Sequence, residues 1–150
     1  MKLNFEIEID APIDDVWAAF TNPDNMGRWM QNFESSRAVS GEPGQPGAIA
    51  EVVFNEKGKR VVLKETVTER RDPDFLAGTY DSDTGSTHIV NHFVRVDGVR
   101  TKWTSWCRFS FTGMMRFFSI FIGGAIRKRT EGDMNRFKLM VETDFAGGGA

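Results

Sequence analysis

Cysteine, histidine and tyrosine are nearly absent from this 150-residue chain, which has one Cys, two His and one Tyr. A single cysteine rules out an internal disulfide and fits a reducing compartment. The two histidines, His88 and His92, stand four apart on a predicted strand. That spacing separates them by about 13 Å, too far for both to ligate one metal ion. With no third histidine, neither a metal site nor a cofactor is expected. A charge surplus is missing too: the formal net charge is −2, and the one basic cluster, Arg127-Lys128-Arg129, is followed by Glu131 and Asp133. This balance excludes the basic face of a general nucleic-acid binder. The longest apolar run, 114–126, is shorter than the ~20 residues that a bilayer span needs. The amino terminus alternates apolar and polar residues and reads as a strand, not a signal peptide. These absences lead us to expect one cytoplasmic domain over 1–150 with no transmembrane segment and a core of ordinary size.

What is present is apolar and aromatic: thirteen Phe and four Trp. Leu3, Phe5, Ile7 and Ile9 alternate with polar residues and predict a half-buried first strand. Pro12, in a first helical position, and Asp14-Asp15 after it open a short helix through Val16, Trp17, Ala19 and Phe20. Asn22-Pro23 breaks it, and a second short helix is predicted over 24–30. Ser40 to Gly47 is a loop. Strands follow at about 34–39, 48–55, 60–71, 75–81, 87–96 and 99–110. After Gly113 one long helix runs to about Glu142, and the tail Gly147-Gly148-Gly149-Ala150 is expected to fray. The order β-αα-β₆-α predicts an α+β protein whose mostly antiparallel sheet is closed by one long helix. The first half of that helix is more apolar than a filled core requires, so a cavity is expected beneath it.

This order, carried by particular residues, resembles the START/SRPBCC superfamily, the helix-grip or birch-pollen-allergen fold. The matching residues are Asp10-Ala11-Pro12, Asp15-Val16-Trp17, Asn22-Pro23 and Trp29. Further along they are Glu65-Thr66-Val67-Thr68-Glu69, Asp72-Pro73, Arg136-Phe137-Lys138 and Glu142. The polyketide cyclase/dehydrase-like and lipid-transport branch is the most similar; the heat-shock-protein-activator branch shares the opening. The resemblance implies a seven-stranded sheet wrapped round the last helix with a cavity between them. Members bind lipids, sterols, polyketides or plant hormones, and some are enzymes; fold alone does not select among these.

An Asp97-Gly98 two-residue turn would set the hairpin register. His88, Val90 and His92 then oppose Cys107, Ser105 and Trp103 on an uncharged face directed inward, and a one-residue slip would invert that assignment. Alternation upstream directs Ala50, Val52 and Phe54 inward, with Val61, Leu63, Glu65 and Val67. Glu65, a carboxylate on an apolar face, needs a partner such as an inward histidine, Arg129 or Arg136. From the helix, Met115, Phe118, Ile122, Ile126, Met134, Phe137 and Val141 follow the helical period. The predicted ligand-lining set is Trp29, Val52, Phe54, Leu63, Glu65, His88, Val90, His92, Trp103, Ser105, Cys107, Met115, Phe118, Ile122, Ile126 and Met134.

Three functions fit. The first is binding of a hydrophobic small molecule, such as a lipid, isoprenoid or aromatic polyketide. The second is a polyketide cyclase/dehydrase with His88 or His92 as acid and base; the third is a protein-interaction module. His88 and His92 could equally orient a ligand or be satisfied wall residues. Cys107 reads either as a thiolate activated by His88 or as an inert packed thiol. Gly123-Gly124 marks a kink or a close approach. The remaining apolar side chains of 114–126, including Met114, Phe117, Ile120 and Phe121, would suit a homodimer face or a membrane surface.

Overall fold

The computed structural model describes residues 1–148, less the side chains of 119 and 120. Strand β1 (Lys2–Ile9) leads into helix α1 (Ile13–Thr21), a 3₁₀ turn (Pro23–Asn25) and helix α2 (Met26–Trp29). Strands β2 (Phe33–Ser40), β3 (Ile49–Glu56), β4 (Lys59–Arg71), β5 (Phe75–Ser82), β6 (Gly85–Asp97) and β7 (Arg100–Phe111) precede helix α3 (Met115–Gly148). The seven strands form one antiparallel sheet in the order β1-β7-β6-β5-β4-β3-β2. The predicted element order is thus the observed one.

Local chemistry accounts for the curvature. Between β4 and β5 the register shifts at Val67/Glu69, a bulge that bends the strand. Beside it, a Cβ on Gly78 would lie 2.7 Å from the Thr66 carbonyl oxygen, so only glycine permits this approach of the two backbones. The sheet therefore curls, and α3 lies against its concave face.

One end of that face is packed shut. Phe93, Trp103 and Phe137 are buried, with Phe20 and Trp29 around them at ring-centroid distances of 5.0–6.0 Å. Polar ties fix the second half of α3 over this plug. Arg136 Nε donates to Trp29 O (3.0 Å), the Gln31 amide donates to Asp133 Oδ1 (3.0 Å), and Lys138 Nζ donates to Glu8 O (2.9 Å). The helix outruns its predicted end. Gly147 and Gly148 complete it instead of fraying, and Arg28 grips Asp144 through two hydrogen bonds of 2.8 and 2.9 Å. Gly149 and Ala150 lie outside the described residues.

The β6–β7 register corrects the sequence reading. The turn residues are Gly98 and Val99, closed by an Asp97–Arg100 pair, and a bulge follows between Arg95 and Asp97. The Asp97 carboxylate drives this choice: it accepts from the Val99 amide (2.9 Å) and from Arg100 Nη2 (2.8 Å), which moves the turn one residue along. Beyond the bulge, Phe93 pairs with Trp103, Asn91 with Ser105 and Ile89 with Cys107. Trp103, Ser105 and Cys107 face inward as predicted. On β6 the inward residues are Ile89, Asn91 and Phe93, so His88, Val90 and His92 lie on the convex face, contrary to expectation. The slip reverses every β6 side chain.

Candidate functional site

Beyond the aromatic plug, the concave wall is built in cross-strand rows. Val52 pairs with Leu63 and Phe54 with Val61. Ala50, Glu65, Tyr80 and Thr87 form one row, and Val67, Gly78, Ile89, Cys107 and Leu3 the next. Helix α3 crosses this region. Gly123 lies by Met1, where a Cβ would come 3.1 Å from the sulfur of that flexible side chain, and its neighbour Gly124 faces open space. The Arg127 guanidinium lies 5.2 Å over the Phe5 ring, and that of Arg129 5.3 Å over Phe54.

Coverage here differs from that of the plug. Leu3, Phe54, Leu63, Glu65, Tyr80, Thr87, Ile89 and Phe109 are only half-buried, as are Met115, Ile122 and Ile126 of the helix. Phe118, expected to face the sheet, is 49% exposed. Trp29, Trp103 and Met134 are instead buried in the plug and form its floor. Wall and helix thus leave one another incompletely covered on the side of Met115–Ile126.

One polar pair stands in this apolar setting. The Tyr80 hydroxyl donates to the Glu65 carboxylate. The expected alternatives for Glu65 are taken elsewhere: Arg129 pairs with Glu56, Arg136 with Asp133, and both histidines are across the sheet. Burial raises the Glu65 carboxyl above its ordinary value, the Tyr80 hydrogen bond opposing it. Burial, reinforced by the neighbouring Glu65, pushes the Tyr80 phenol well up. Burial thus shifts both groups toward their neutral forms; the Tyr80 proton is given to Glu65, so a protonated Glu65 is the donor this pair holds for a guest, and the phenol oxygen an acceptor. Sequence reasoning missed Tyr80, although it is the chain's only tyrosine.

Cys107 neighbours this pair, 3.8 Å from Ser105 Oγ. Burial raises its thiol above the ordinary value, and its cross-strand partner is Ile89, not His88. Nothing here generates a thiolate. Deeper in, Trp103 Nε1 donates to Asn91 Oδ1 at 3.0 Å, which pairs these two buried polar groups.

The convex face holds the displaced residues. His92 meets Phe75 edge-on at 4.8 Å, and His88 meets Trp106 at 5.9 Å. A shallow groove of about 590 Å³ there is lined by Asn4, Glu6, Val90, His92, Thr104 and Trp106, among others. Among the described residues, no group of three or more His, Cys, Asp or Glu is placed to hold a metal ion. No described helix is long and apolar enough to cross a membrane.

An antiparallel sheet gripping one long carboxy-terminal helix defines the helix-grip class, and solved structures share it. The chain aligns with the Zhui aromatase/cyclase from Streptomyces sp. R1128 at TM-score 0.81 and 11% identity, covering 96% of this chain and 94% of that one. It aligns with Ara h 8.0201 at TM-score 0.76 and 14% identity, covering 95% and 98%. A protein from Nitrosomonas europaea gives 0.77 and 16%, covering 97% of each chain. At these identities the likeness concerns the fold. Comparison with the curated proteins finds no match. The family itself follows from the sequence: residues 1–142 match the model for polyketide cyclase/dehydrase and lipid transport proteins, and the chain belongs to that family.

Proposed function

We propose that the protein binds a hydrophobic small molecule, a lipid, isoprenoid or aromatic polyketide, between the concave sheet and the first half of α3. One observation carries this reading: Leu3, Phe54, Leu63 and Ile89 of the sheet and Met115, Ile122 and Ile126 of the helix stay half-buried, while Phe93, Trp103 and Phe137 of the plug are 3% exposed or less. Apolar surface left facing a cleft gains free energy when a guest covers it, about 25 cal/mol per Å². Glu65 and Tyr80 supply the few convergent polar groups that orient a ligand in such sites. The family, whose description covers both cyclases and lipid transport, agrees with either a carrier or an enzyme.

A titration with 1-anilinonaphthalene-8-sulfonate tests the site. Ile89→Trp, which fills the wall beside Cys107, should weaken the probe at least tenfold. His88→Ala and His92→Ala should leave it unchanged. An effect of the histidine variants with none from Ile89→Trp would place binding on the convex face and refute the proposal. A cyclase reading draws on a different observation, the neutral-leaning Glu65 carboxyl beside a phenol, which would move protons in place of the histidines. Turnover of a poly-β-ketone that is lost in both Glu65→Gln and Tyr80→Phe would favour it. Turnover that survives both would remove it.

A further inference from the structure

The first half of α3 is apolar on two faces. Met115, Ile122 and Ile126 are half-buried toward the sheet. Met114, Phe117 and Phe121, on another side, are 74%, 77% and 76% exposed, with Phe118 between the two sets at 49%. Phe117, Phe121, Gly124 and Lys128 repeat at the helical spacing that puts residues in one line, so the exposed aromatic stripe ends on a cation. Lys128 makes no ion pair among the described residues.

The sequence around the stripe is lopsided in charge. From Gly98 to Thr130 there is no Asp or Glu, and there are seven Lys and Arg, in a chain whose net charge is −2. Arg100, Lys102, Arg127 and Arg129 are matched by acids from outside this segment. Around the stripe itself, Arg116 and Arg127 lie on one flank of the helix by periodicity, and Lys128 lies at its end.

The size of the patch argues against a second copy as its cover. At about 200 Å² per large side chain, these exposed fractions amount to roughly 550 Å². A stable dimer interface buries about 800 Å² on each partner. Bare apolar patches of this size are commonly functional. An apolar helical stripe bordered by cations, with Glu131 past its end as the first acid on the helix and paired to Arg127, fits a bilayer whose headgroups are anionic, with the rings in the acyl boundary and the cations at the phosphates.

We infer that residues 114–128 dock the protein on an anionic lipid surface, with Phe117 and Phe121 inserted and Lys128 at the headgroups. The inference does not depend on the cleft having a ligand.

The test is co-sedimentation of the full chain with vesicles of phosphatidylcholine, with and without about one-third phosphatidylglycerol. The expected result is at least tenfold stronger partition onto the anionic vesicles, falling as salt is raised. Phe117→Ser/Phe121→Ser should reduce it a further tenfold or more. Lys128→Gln should reduce it about fivefold on anionic vesicles alone, given the worth of one cation near such a surface. Unchanged melting temperatures would show that both variants are folded. Failure of the wild-type chain to bind anionic vesicles, or full binding by the double serine variant, would overturn the inference. So would a dimer in light scattering that the serine variant dissolves, since a second copy would then own the stripe. The anilinonaphthalene titration reads the cleft separately, so either result can fail without the other.

Discussion

Glu65→Gln should make the protein more stable at neutral pH, which is an unusual outcome for a substitution in a half-buried polar pair. The carboxyl is raised above its ordinary value by burial, and the Tyr80 hydrogen bond only partly opposes that. The folded state therefore binds more protons at this site than the unfolded state does. Stability from this group is fully present below the unfolded value, about 4.3 for Glu, and is lost as pH rises through the raised folded value. Glutamine imitates the protonated form and still accepts from the Tyr80 hydroxyl. The substitution removes the burial penalty on the charge and gives up the extra strength of a charge-assisted hydrogen bond. Because the carboxyl is raised, burial is the larger effect, and the net change is a gain in stability. In a domain of this size each kcal/mol of gain reads as about 2–4 °C in melting temperature. Thermal unfolding by circular dichroism from pH 4 to pH 8 should show the offset at pH 8 and its disappearance by pH 4. A variant that melts lower than wild type at pH 8, or that differs equally at both pH values, would refute the reasoning.

Phe137 is 0% exposed and meets Phe20, Trp29 and Trp103 at 5.1–5.8 Å. Phe137→Ala should therefore cost about 3–5 kcal/mol in chemical denaturation, and a loss below 1 kcal/mol would mean the plug is not the core. Cys107, buried and with its thiol pushed up, should react with iodoacetamide at pH 8 at least tenfold more slowly than a free thiol. Alkylation at the free-thiol rate would reopen its reading as a nucleophile.

Legibility in the sequence followed the fidelity of the turns. On β3 and β4 the predicted faces agree with the register because Lys57 and Gly58 take positive φ, as a two-residue hairpin requires, and Glu56 pairs with Lys59 without a bulge. Alternation alone carried Val52, Phe54, Leu63 and Glu65 to the right side. On β5 it could not. Leu76, Gly78 and Tyr80 face one way and Phe75, Ala77 and Thr79 the other, two sets of similar polarity, so Tyr80 stayed hidden until pairing with Glu65 placed it. On β6 the hydrophobicity of Val94 and Val96 misled. These valines are 47% and 43% exposed near the hairpin tip, past the end of the core, where apolar character carries no information about facing.

What fixes β6 is the stack of Phe93 on Trp103 and the Asn91–Trp103 hydrogen bond, contacts between residues too far apart in sequence for a periodicity to show. The bulge at Val96 then reconciles this packing with the turn that Asp97 prefers, and that division of labour can be tested by deletion. Removing Val96 takes out the one residue of this stretch without a β7 partner. Arg95–Thr101 and Asp97–Arg100 then become consecutive pairs, and every pair from Phe93–Trp103 outward keeps its register. The expected cost is within about 1 kcal/mol, as for other exposed sites away from core features, with the near-ultraviolet circular dichroism of the Trp103 cluster retained. Had Val96 been the closing partner of Val99, the deletion would bring Arg95 opposite Val99 and Asn91 opposite Trp103, slipping β6 by one residue and abolishing that signal. Loss of the near-ultraviolet spectrum on deletion would therefore show that the turn, and not the aromatic stack, sets which residues face the concave side.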